Sequence, residues 1–407
     1  MAITPTVLDV YSRFMDELFD EKDVIGVSTV WQQFFGKPAN GGSKTVYSPN
    51  SEVVDIDIMR GNERTAALIH RGTDSRHLDL QRNTATQNFS SFSRVYPFAE
   101  ELGDITSSQI LKRLAGENPY DNKARIDRLR ALAQEHHMEH IRRYVRLFEV
   151  LAGRSLLAGL MPALSGSANV DNWYDFRRNA AHIITPAIPW NNAGADILGD
   201  IDAGARLMRQ NGKVKPNVIF FGQNVFPVFI ANTTVANLAD NRRFELIQVS
   251  TNNPVPPQFM PLVEGGAIPR GLLRTPEGFE MWMFTYIDVY TDAAGASQNY
   301  MPVDTVFMAY YGARCDRYFG PPERLPIVSS DIAWYQEMFG MNNIQGAMIP
   351  PKINAGAVIT PAMFYCDAYP SGDKKKVTIR TQSAPIFATT QTDAFITFTD
   401  VIDNGRS

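Results

Sequence analysis

A run of helical periodicity from residue 121 to about residue 160 constrains the fold of this chain more than any other feature. Apolar residues recur there at spacings of three and four, and the opposite face is rich in arginine. At 1.5 Å per residue, such a helix would be about 55–60 Å long. One compact domain does not need that length, so the sequence predicts a spine helix for a larger structure. Gly159 and Pro162 are expected to end it.

The residues before this helix predict a docking helix and a long hairpin. A helix capped by Thr6 has one apolar face, which includes Phe14 and Leu18 and must dock on this chain or on another. Residues 45–98 read as extended structure, and apolar and polar residues alternate in Val54–Ile58. The polar turn between the two predicted arms carries Arg60, Arg64, Arg71 and Arg76. An isolated hairpin is marginal in water, so we expect this one to lie on another surface.

Residues 170–330 predict a mixed α/β unit. Asp196 can cap a helix that stops at Asn211–Gly212, and an apolar strand, Val218–Phe221, follows. The other predicted elements of this unit are a helix opened by Asn224 with Phe226, Phe229 and Ile230 inward, a strand from Phe279 to Tyr290, and a turn at Asp292–Gly295 into a strand from Thr305 to Tyr311. The last segment of the chain returns to β structure, with closing strands at Val377–Thr381 and Ala394–Thr399.

Composition excludes several classes of protein. The 407 residues carry 39 Lys+Arg against 43 Asp+Glu, and this net charge of −4 argues against a strongly basic nucleic-acid binder. A hydrophobic content of 44% excludes global disorder. Two cysteines, Cys315 and Cys366, cannot build a disulfide framework and favour a reducing compartment. Without a secretory signal or a long apolar run, we expect a soluble protein that is made in a cytoplasm and has no membrane span.

The strongest catalytic motif is H-x-x-E-H, formed by His136, Glu139 and His140. Two imidazoles at i and i+4 could bind zinc, with the carboxylate as general base. The sequence marks no third ligand, so the favoured interpretation is a polar helix face whose ring stems lie on a neighbour. The alternative function is a zinc-dependent hydrolase that uses this helix.

Other chemical signals are weaker. Cys315 lies beside Arg314 and near Arg317, which could lower its thiol pKa, although such a cysteine is more often small and buried. The Walker-like string at Gly41–Thr45 fails on spacing, and the sequence contains neither a dinucleotide-binding fingerprint after Phe221 nor a serine-hydrolase elbow. Basic clusters such as Arg142–Arg146 and Arg177–Arg178 are dispersed and predict solvated faces and subunit salt bridges.

Several strings, in their order along the chain, resemble the major capsid protein of lambda-like tailed bacteriophages, the major capsid protein E family. The strongest is Val377–Phe387, in which a strand enters a Gln-Ser-Ala-Pro loop, followed by Asp393–Phe395. A second, Asn299–Val306, is similar to the family's aromatic-x-Pro-x-Asp/Asn-Thr entry into a strand. A third, Asn217–Phe221, precedes a helix and then Asp240–Arg243. The likeness is clearest over about residues 120–400.

This resemblance implies an α+β tailed-phage capsid fold with an N-terminal arm, an extended β-hairpin loop, a long spine helix, a peripheral domain and an inserted axial α/β domain. The implied divisions are 1–44 for the arm, 45–118 for the extended loop, 119–185 for the spine helix and first part of the peripheral domain, 186–330 for the axial domain, and 331–407 for the return to the peripheral domain.

The resemblance also implies a structural function. Copies of the chain would assemble as hexamers and pentamers into an icosahedral shell that encloses double-stranded DNA, with no catalytic site, cofactor, metal or membrane contact. Other expected partners are portal, scaffold and decoration proteins, and DNA through weak non-specific contacts. The protein would belong to the virion and assemble in the host cytoplasm. The residues expected at inter-subunit contacts are Arg60, Arg64, Arg71, Arg76, Phe14 and Leu18. A portal or tail protein is less favoured, because those lack this order of parts.

Overall fold

The computed structural model describes the greater part of the chain. It covers residues 27–37, 40, 42–48, 53–56, 58, 92–95, 97–113, 122–162, 173–240, 247–248, 255–292, 295–321, 363–370 and 375–403. The predicted docking helix after Thr6 lies outside these residues. Within them, no helix combines the length and apolar character needed to cross a membrane.

The described residues contain both helices and strands throughout. The helices are α1 (Ser107–Arg113), α2 (Asn122–Ala158), α3 (Ile197–Gly212), α4 (Val225–Ala231), α5 (Thr233–Asp240) and α6 (Met260–Glu264). The strands are β1 (Thr45–Tyr47), β2 (Val53–Ile56), β3 (Phe92–Val95), β4 (Ala99–Thr106), β5 (Leu160–Pro162), β6 (Trp173–Asp175), β7 (Ile183–Ile184), β8 (Val218–Phe221), β9 (Ile247–Gln248), β10 (Ile268–Arg274), β11 (Glu280–Thr285), β12 (Val289–Thr291), β13 (Ser297–Asn299), β14 (Val306–Ala309), β15 (Cys315–Phe319), β16 (Tyr365–Pro370), β17 (Lys376–Ser383), β18 (Pro385–Thr389) and β19 (Phe395–Phe398).

The predicted spine helix is confirmed as α2, which has 37 residues and is about 55 Å long. Its apolar positions, including Ile141, Tyr144 and Phe148, are buried. The helix ends where the sequence predicts, because Gly159 adopts a left-handed φ of +69°. A Cβ at Gly159 would lie 2.7 Å from the Cβ of Arg178, so a larger residue does not fit there.

A seven-stranded sheet with the order β7-β19-β14-β8-β11-β10-β9 forms the centre of the molecule. All four residues of β8 are buried, because both faces of this sheet are covered. Successive side chains of a strand point to opposite faces. Val218 and Phe220 therefore enter the core next to the spine helix, whereas Ile219 and Phe221 enter the core next to α3.

Two three-stranded sheets flank this centre, with the orders β16-β17-β4 and β1-β15-β18. β17 pairs antiparallel with β4 along the whole of both strands, from Lys376 opposite Thr106 to Ser383 opposite Ala99. The first half of α2 packs on this pair through a small core that includes Leu129, Leu132 and Ile379. The two closing strands predicted from the sequence are confirmed: the first is β17, and the second is β19 of the central sheet.

The strands that begin the predicted hairpin separate into two groups. β2 and β3 pair antiparallel, from Val53 opposite Val95 to Ile56 opposite Phe92, so they bracket residues 57–91. β1 instead pairs in parallel with β15. β4, which follows β3, belongs to the sheet with β17. The divisions at residues 44, 118, 185 and 330 stay a prediction.

Helix α3 confirms the predicted cap, because the Asp196 carboxylate accepts a hydrogen bond from the Gly199 amide at 3.0 Å. In α4 the prediction that Ile230 faces inward is wrong, since its side chain is 41% exposed. Phe229 packs on Phe221 with ring centroids 4.9 Å apart. Each helical residue is rotated by about 100° from its neighbour, and this places Ile230 on the solvent side.

The single strand predicted from Phe279 to Tyr290 is also wrong. β11 ends at Thr285, where it pairs with the last residue of β8, Phe221, and has no further partner on that side. The chain then forms the hairpin β12–β13, whose turn is stabilised by Asp292 accepting a hydrogen bond from the Ala296 amide at 2.8 Å. The predicted turn at Asp292 therefore leads back into β13, and β14 begins only at Val306.

Candidate functional site

The residues predicted to make inter-subunit contacts cannot be placed in this structure. All of them lie outside the described residues: Arg60, Arg64, Arg71, Arg76, Phe14 and Leu18. The nearest described features are the strand pair β2–β3 and the segment that begins at residue 27. On β2, Val54 and Ile56 are buried, so this end of the predicted loop is held by apolar contacts.

The H-x-x-E-H motif lies on the face of α2 that meets the sheet of β4 and β17. His140 is 4% exposed, and its Nδ1 lies 3.1 Å from Oγ1 of Thr381. A Cβ on Gly103 would lie 3.1 Å from His140 Nε2 and 2.9 Å from His136 Nδ1, so the strand backbone closes over both rings. The other nitrogen of His140 thus faces protein and not an open cleft.

The carboxylate of the motif is engaged in exposed ion pairs. Glu139 lies 3.6 Å from Arg143 and 3.7 Å from Arg146, atom to atom between carboxylate and guanidinium. In the part of the chain that the structure describes, no three His, Cys, Asp or Glu side chains are grouped so as to hold a metal ion. Burial lowers the pKa of His140, with the nearby Glu101 opposing this effect. These contacts agree with the interpretation of the motif as a packed helix face.

Burial decides two other expectations. The favoured interpretation of Cys315 as a small buried residue is confirmed, and burial raises the pKa of its thiol well above the usual value, which excludes the alternative of a lowered pKa. Arg178 does not lie on a solvated face. Its Nη1 donates to the carbonyl oxygens of Leu156 and Leu157, each at 2.8 Å, and burial lowers its pKa to about 9. The partly buried Arg178 therefore caps the end of the spine helix by satisfying two of its last carbonyl groups.

The segment of residues 27–36 forms an apolar plug in the core, and we call it the N-terminal plug. Trp31 and Phe34 are fully buried between the spine helix and the central sheet. The ring of Trp31 lies 5.4 Å from that of Phe307 and 5.1 Å from that of Phe220, centroid to centroid. A Cβ on Gly153 of the spine helix would lie 2.8 Å from Trp31 Cδ1, so the helix approaches closely there. The plug thereby joins elements that are far apart in sequence.

Glu149 of the spine helix is completely buried beneath this plug. Its Oε1 accepts hydrogen bonds from the Trp31 amide at 2.7 Å and from the Tyr286 hydroxyl at 3.0 Å. Its Oε2 accepts from the Gln32 amide at 3.1 Å and from Gln32 Nε2 at 3.3 Å. Burial raises the pKa of Glu149 to about 7, and these hydrogen bonds act in the opposite direction.

Neither the plug nor Glu149 was identified from the sequence. The plug has no helical or strand periodicity, because it is built around a single 3-10 turn, Gln32–Phe34. Glu149 did carry a signal. It follows Val145 by four residues and precedes Ala152 by three, so it falls on the apolar stripe of the spine helix, where a carboxylate is unexpected.

A family model described as phage major capsid protein E matches residues 42–400. No curated protein sequence matches at a significant level. Among solved structures, a protein described as a prophage capsid protein of E. coli CFT073 has a TM-score of 0.57 at 14% identity, over 95% of this chain and 98% of that one. A phage-related protein of Bordetella bronchiseptica RB50 has a TM-score of 0.43 at 8% identity, over 98% and 99%. The similarity to the E. coli prophage protein confirms the predicted α+β capsid fold.

Proposed function

Since this chain belongs to the phage major capsid protein E family, it is a capsid protein whose copies form an icosahedral shell, and we propose that they do so as hexamers and pentamers around double-stranded DNA. The observation that carries this conclusion is the family match over residues 42–400. The chain is accordingly a structural component of the virion. Such a shell is stable through many modest interfaces, because closure makes the contacts cooperative.

We also propose a role in the shell for two regions of the subunit. Within residues 45–118, β1 and β4 pair inside the subunit, and the part bracketed by β2 and β3 is proposed to lie on a neighbouring subunit as an extended loop. Residues 186–330 are proposed to form an axial domain whose loops approach the symmetry axes. The hairpin β12–β13 and the residues just before it support the second assignment, because they expose apolar side chains: Ile287 is 41% exposed and Val289 is 58% exposed. Such residues suit a contact between copies.

The arginines of the loop and the N-terminal helix are proposed to make the contacts between subunits. Arg60, Arg64, Arg71 and Arg76 would form charge pairs with a neighbour, and Phe14 and Leu18 would dock on an apolar surface. Portal, scaffold and decoration proteins are further proposed partners, and DNA would be contacted weakly and without sequence preference. Assembly is proposed to take place in the host cytoplasm.

Electron microscopy of the purified full chain tests the shell. Negative-stain images should show closed particles of uniform diameter, whose surface resolves into six- and five-membered rings. Sedimentation of the same sample should show one fast species in addition to free subunits. A folded chain that remains monomeric under all assembly conditions, or that forms only open rings of another symmetry, would contradict the proposal.

The absence of catalysis is also proposed, and metal analysis tests it. The purified protein should contain no stoichiometric zinc after dialysis against zinc, and His136→Ala should not change its metal content. Two features support this expectation: His140 Nδ1 is paired with Thr381, and the strand backbone at Gly103 closes over the rings. One zinc per chain that is lost in His136→Ala would instead favour a zinc-dependent hydrolase.

A further inference from the structure

The strongest unassigned feature of the molecule is the buried carboxylate of Glu149 together with its four donors on Trp31, Gln32 and Tyr286. We call this group the Glu149 clasp. It joins three parts of the chain: the N-terminal plug, the spine helix and the turn that follows β11. Each of the four donors is neutral, so the clasp contains a carboxylate without a cation bonded to it. Placing such a group in an apolar core is costly when it is ionised.

Other titratable groups surround the clasp from each element packed against it. From the plug, Ser28 donates a hydrogen bond to Asp288. From the turn after β11 and the strands beyond it, Tyr286, Tyr290, Tyr300 and Asp288 face the same region, and Arg146 approaches from the spine helix. The pKa of Tyr286 and that of Tyr300 are raised by burial, so both remain neutral at physiological pH. Glu149 is therefore the member of the clasp that changes charge near neutrality.

We infer that the Glu149 clasp is a pH-sensitive fastening that holds the N-terminal plug more tightly in acid than in alkali. In acid the carboxyl group is neutral, so its burial in the apolar core no longer carries the cost of a desolvated charge. In alkali the carboxylate is ionised, and it is better solvated if the plug leaves and water reaches it. The apolar contacts of Trp31 and Phe34 oppose release of the plug from the core at every pH, so the plug opens rarely. The protonation state of Glu149 changes how often it opens.

The direction in which pH shifts the opening of the plug is set by the pKa of Glu149 in the closed and in the open state. With the plug in place, the pKa of Glu149 is about 7, whereas a carboxyl exposed by an open plug would have the ordinary value of 4.5. Between these values the closed state binds more protons than the open state, so raising the pH favours opening. Over the whole pH range, the equilibrium constant for opening can rise by roughly 300-fold at most. Between pH 5.5 and pH 8.5 it should rise by about 30-fold.

Hydrogen exchange of the full chain, read by mass spectrometry, tests this inference. The reporting amides are those of Trp31 and Gln32, which bond to Glu149, and that of Gly36, which bonds to the Cys315 carbonyl at 3.0 Å. After correction for the intrinsic dependence of exchange on pH, their protection should fall about 30-fold from pH 5.5 to pH 8.5. Protection of the β8 amides should remain higher throughout, since opening of the plug is local.

Two variants of the same helix provide the matched comparison. Glu149→Gln removes the titration and should leave the protection of the plug independent of pH. Glu135→Gln, which changes an exposed carboxylate paired with Arg113, should retain the 30-fold dependence of the native chain. A pH dependence that persists in Glu149→Gln, or that is missing from the native chain, would overturn the inference.

A third variant keeps the test decisive if Glu149→Gln does not fold. Tyr286→Phe removes one donor to the ionised carboxylate, so the pKa of Glu149 should rise further and the midpoint of the transition in protection should move to higher pH. An unchanged midpoint would overturn the inference. Equal protection and equal pH dependence in the plug and in β8 would overturn it too, because global unfolding would then explain the exchange.

Discussion

His140 Nδ1 lies 3.1 Å from Oγ1 of Thr381, and this contact joins the middle of the spine helix to the central strand of the β16-β17-β4 sheet. One helical turn further on, the Tyr144 hydroxyl donates to the carbonyl oxygen of Thr381 at 2.7 Å. Both contacts are buried. Apolar packing alone would tolerate small shifts of the helix along the sheet, whereas these directional hydrogen bonds fix its position.

Removal of the Thr381 hydroxyl should therefore destabilise the subunit. Thr381→Val keeps the shape of the side chain but takes away a hydroxyl that lies 3.1 Å from His140 Nδ1 and 3.4 Å from His137 Nδ1, a loss of about 1–3 kcal/mol in the free energy of unfolding. Urea denaturation of the unassembled chain measures it. Thr381→Ser retains the hydroxyl and is the matched control, which should lose less. Equal stability of the valine variant and the native chain would show that this contact contributes nothing.

Acid should weaken the same contact through His140. Its pKa is lowered from 6.5, chiefly by burial, so the unfolded chain binds this proton more readily than the folded chain. The contribution of His140 to stability is therefore present above pH 6.5 and is lost as the pH falls toward the lowered value. His140→Asn cannot titrate, so its urea midpoint should decrease less between pH 7.5 and pH 5 than that of the native chain. A parallel decrease in both proteins would assign the acid sensitivity elsewhere.

The strand that faces these histidines should require glycine at residue 103. A Cβ there would lie 2.9 Å from His136 Nδ1 and 3.1 Å from His140 Nε2, closer than van der Waals contact allows. Gly103→Ala should cost about 1–3 kcal/mol in the free energy of unfolding, because the rings must move away from the sheet. Gly194→Ala is the control, since a Cβ at that glycine meets nothing within 4 Å. Similar losses in both variants would exclude the proposed clash.

The spine helix, α3 and strand β8 could be predicted from the sequence because their signals are local. Each shows a period, a cap or an apolar run that follows from the geometry of the element itself. The strand pairing of β11 was harder to predict. Its alternation continues to Tyr290, but the strand ends at Thr285, where β8 ends opposite it. The end of a strand thus depends on a partner more than 60 residues away, which no local pattern records.

The N-terminal plug shows a second limit on prediction. Trp31, Phe34 and Phe35 are apolar, but their burial depends on a cavity formed by two sheets and the spine helix. The histidine motif shows the reverse case. Its spacing is that of a zinc site, yet Gly103 and Thr381, which decide its environment, are far from it in sequence. Burial by distant residues therefore determined both outcomes.

Truncation of the plug should destabilise the whole subunit. Trp31→Ala removes a fully buried ring that contacts Phe220, Tyr286 and Phe307. The expected cost is about 3–5 kcal/mol in the free energy of unfolding, since the cavity lies between rigid elements. Trp31→Phe keeps part of the volume and should fall between the alanine variant and the native chain. A loss below about 1 kcal/mol in the alanine variant would mean that the surroundings collapse into the space.

The last prediction concerns assembly and separates it from folding. Arg71→Glu combined with Arg76→Glu reverses two charges in the predicted extended loop. Like charges across a contact cost several kcal/mol, and this cost recurs at each of the many equivalent interfaces of a shell. The doubly substituted chain should keep the circular dichroism spectrum and urea midpoint of the native subunit but form no shells in electron micrographs. Arg71→Lys with Arg76→Lys preserves the charges and should still assemble. Normal shells from the glutamate variant would remove these arginines from the set of inter-subunit contacts, whereas a lowered urea midpoint would assign them a role within the subunit.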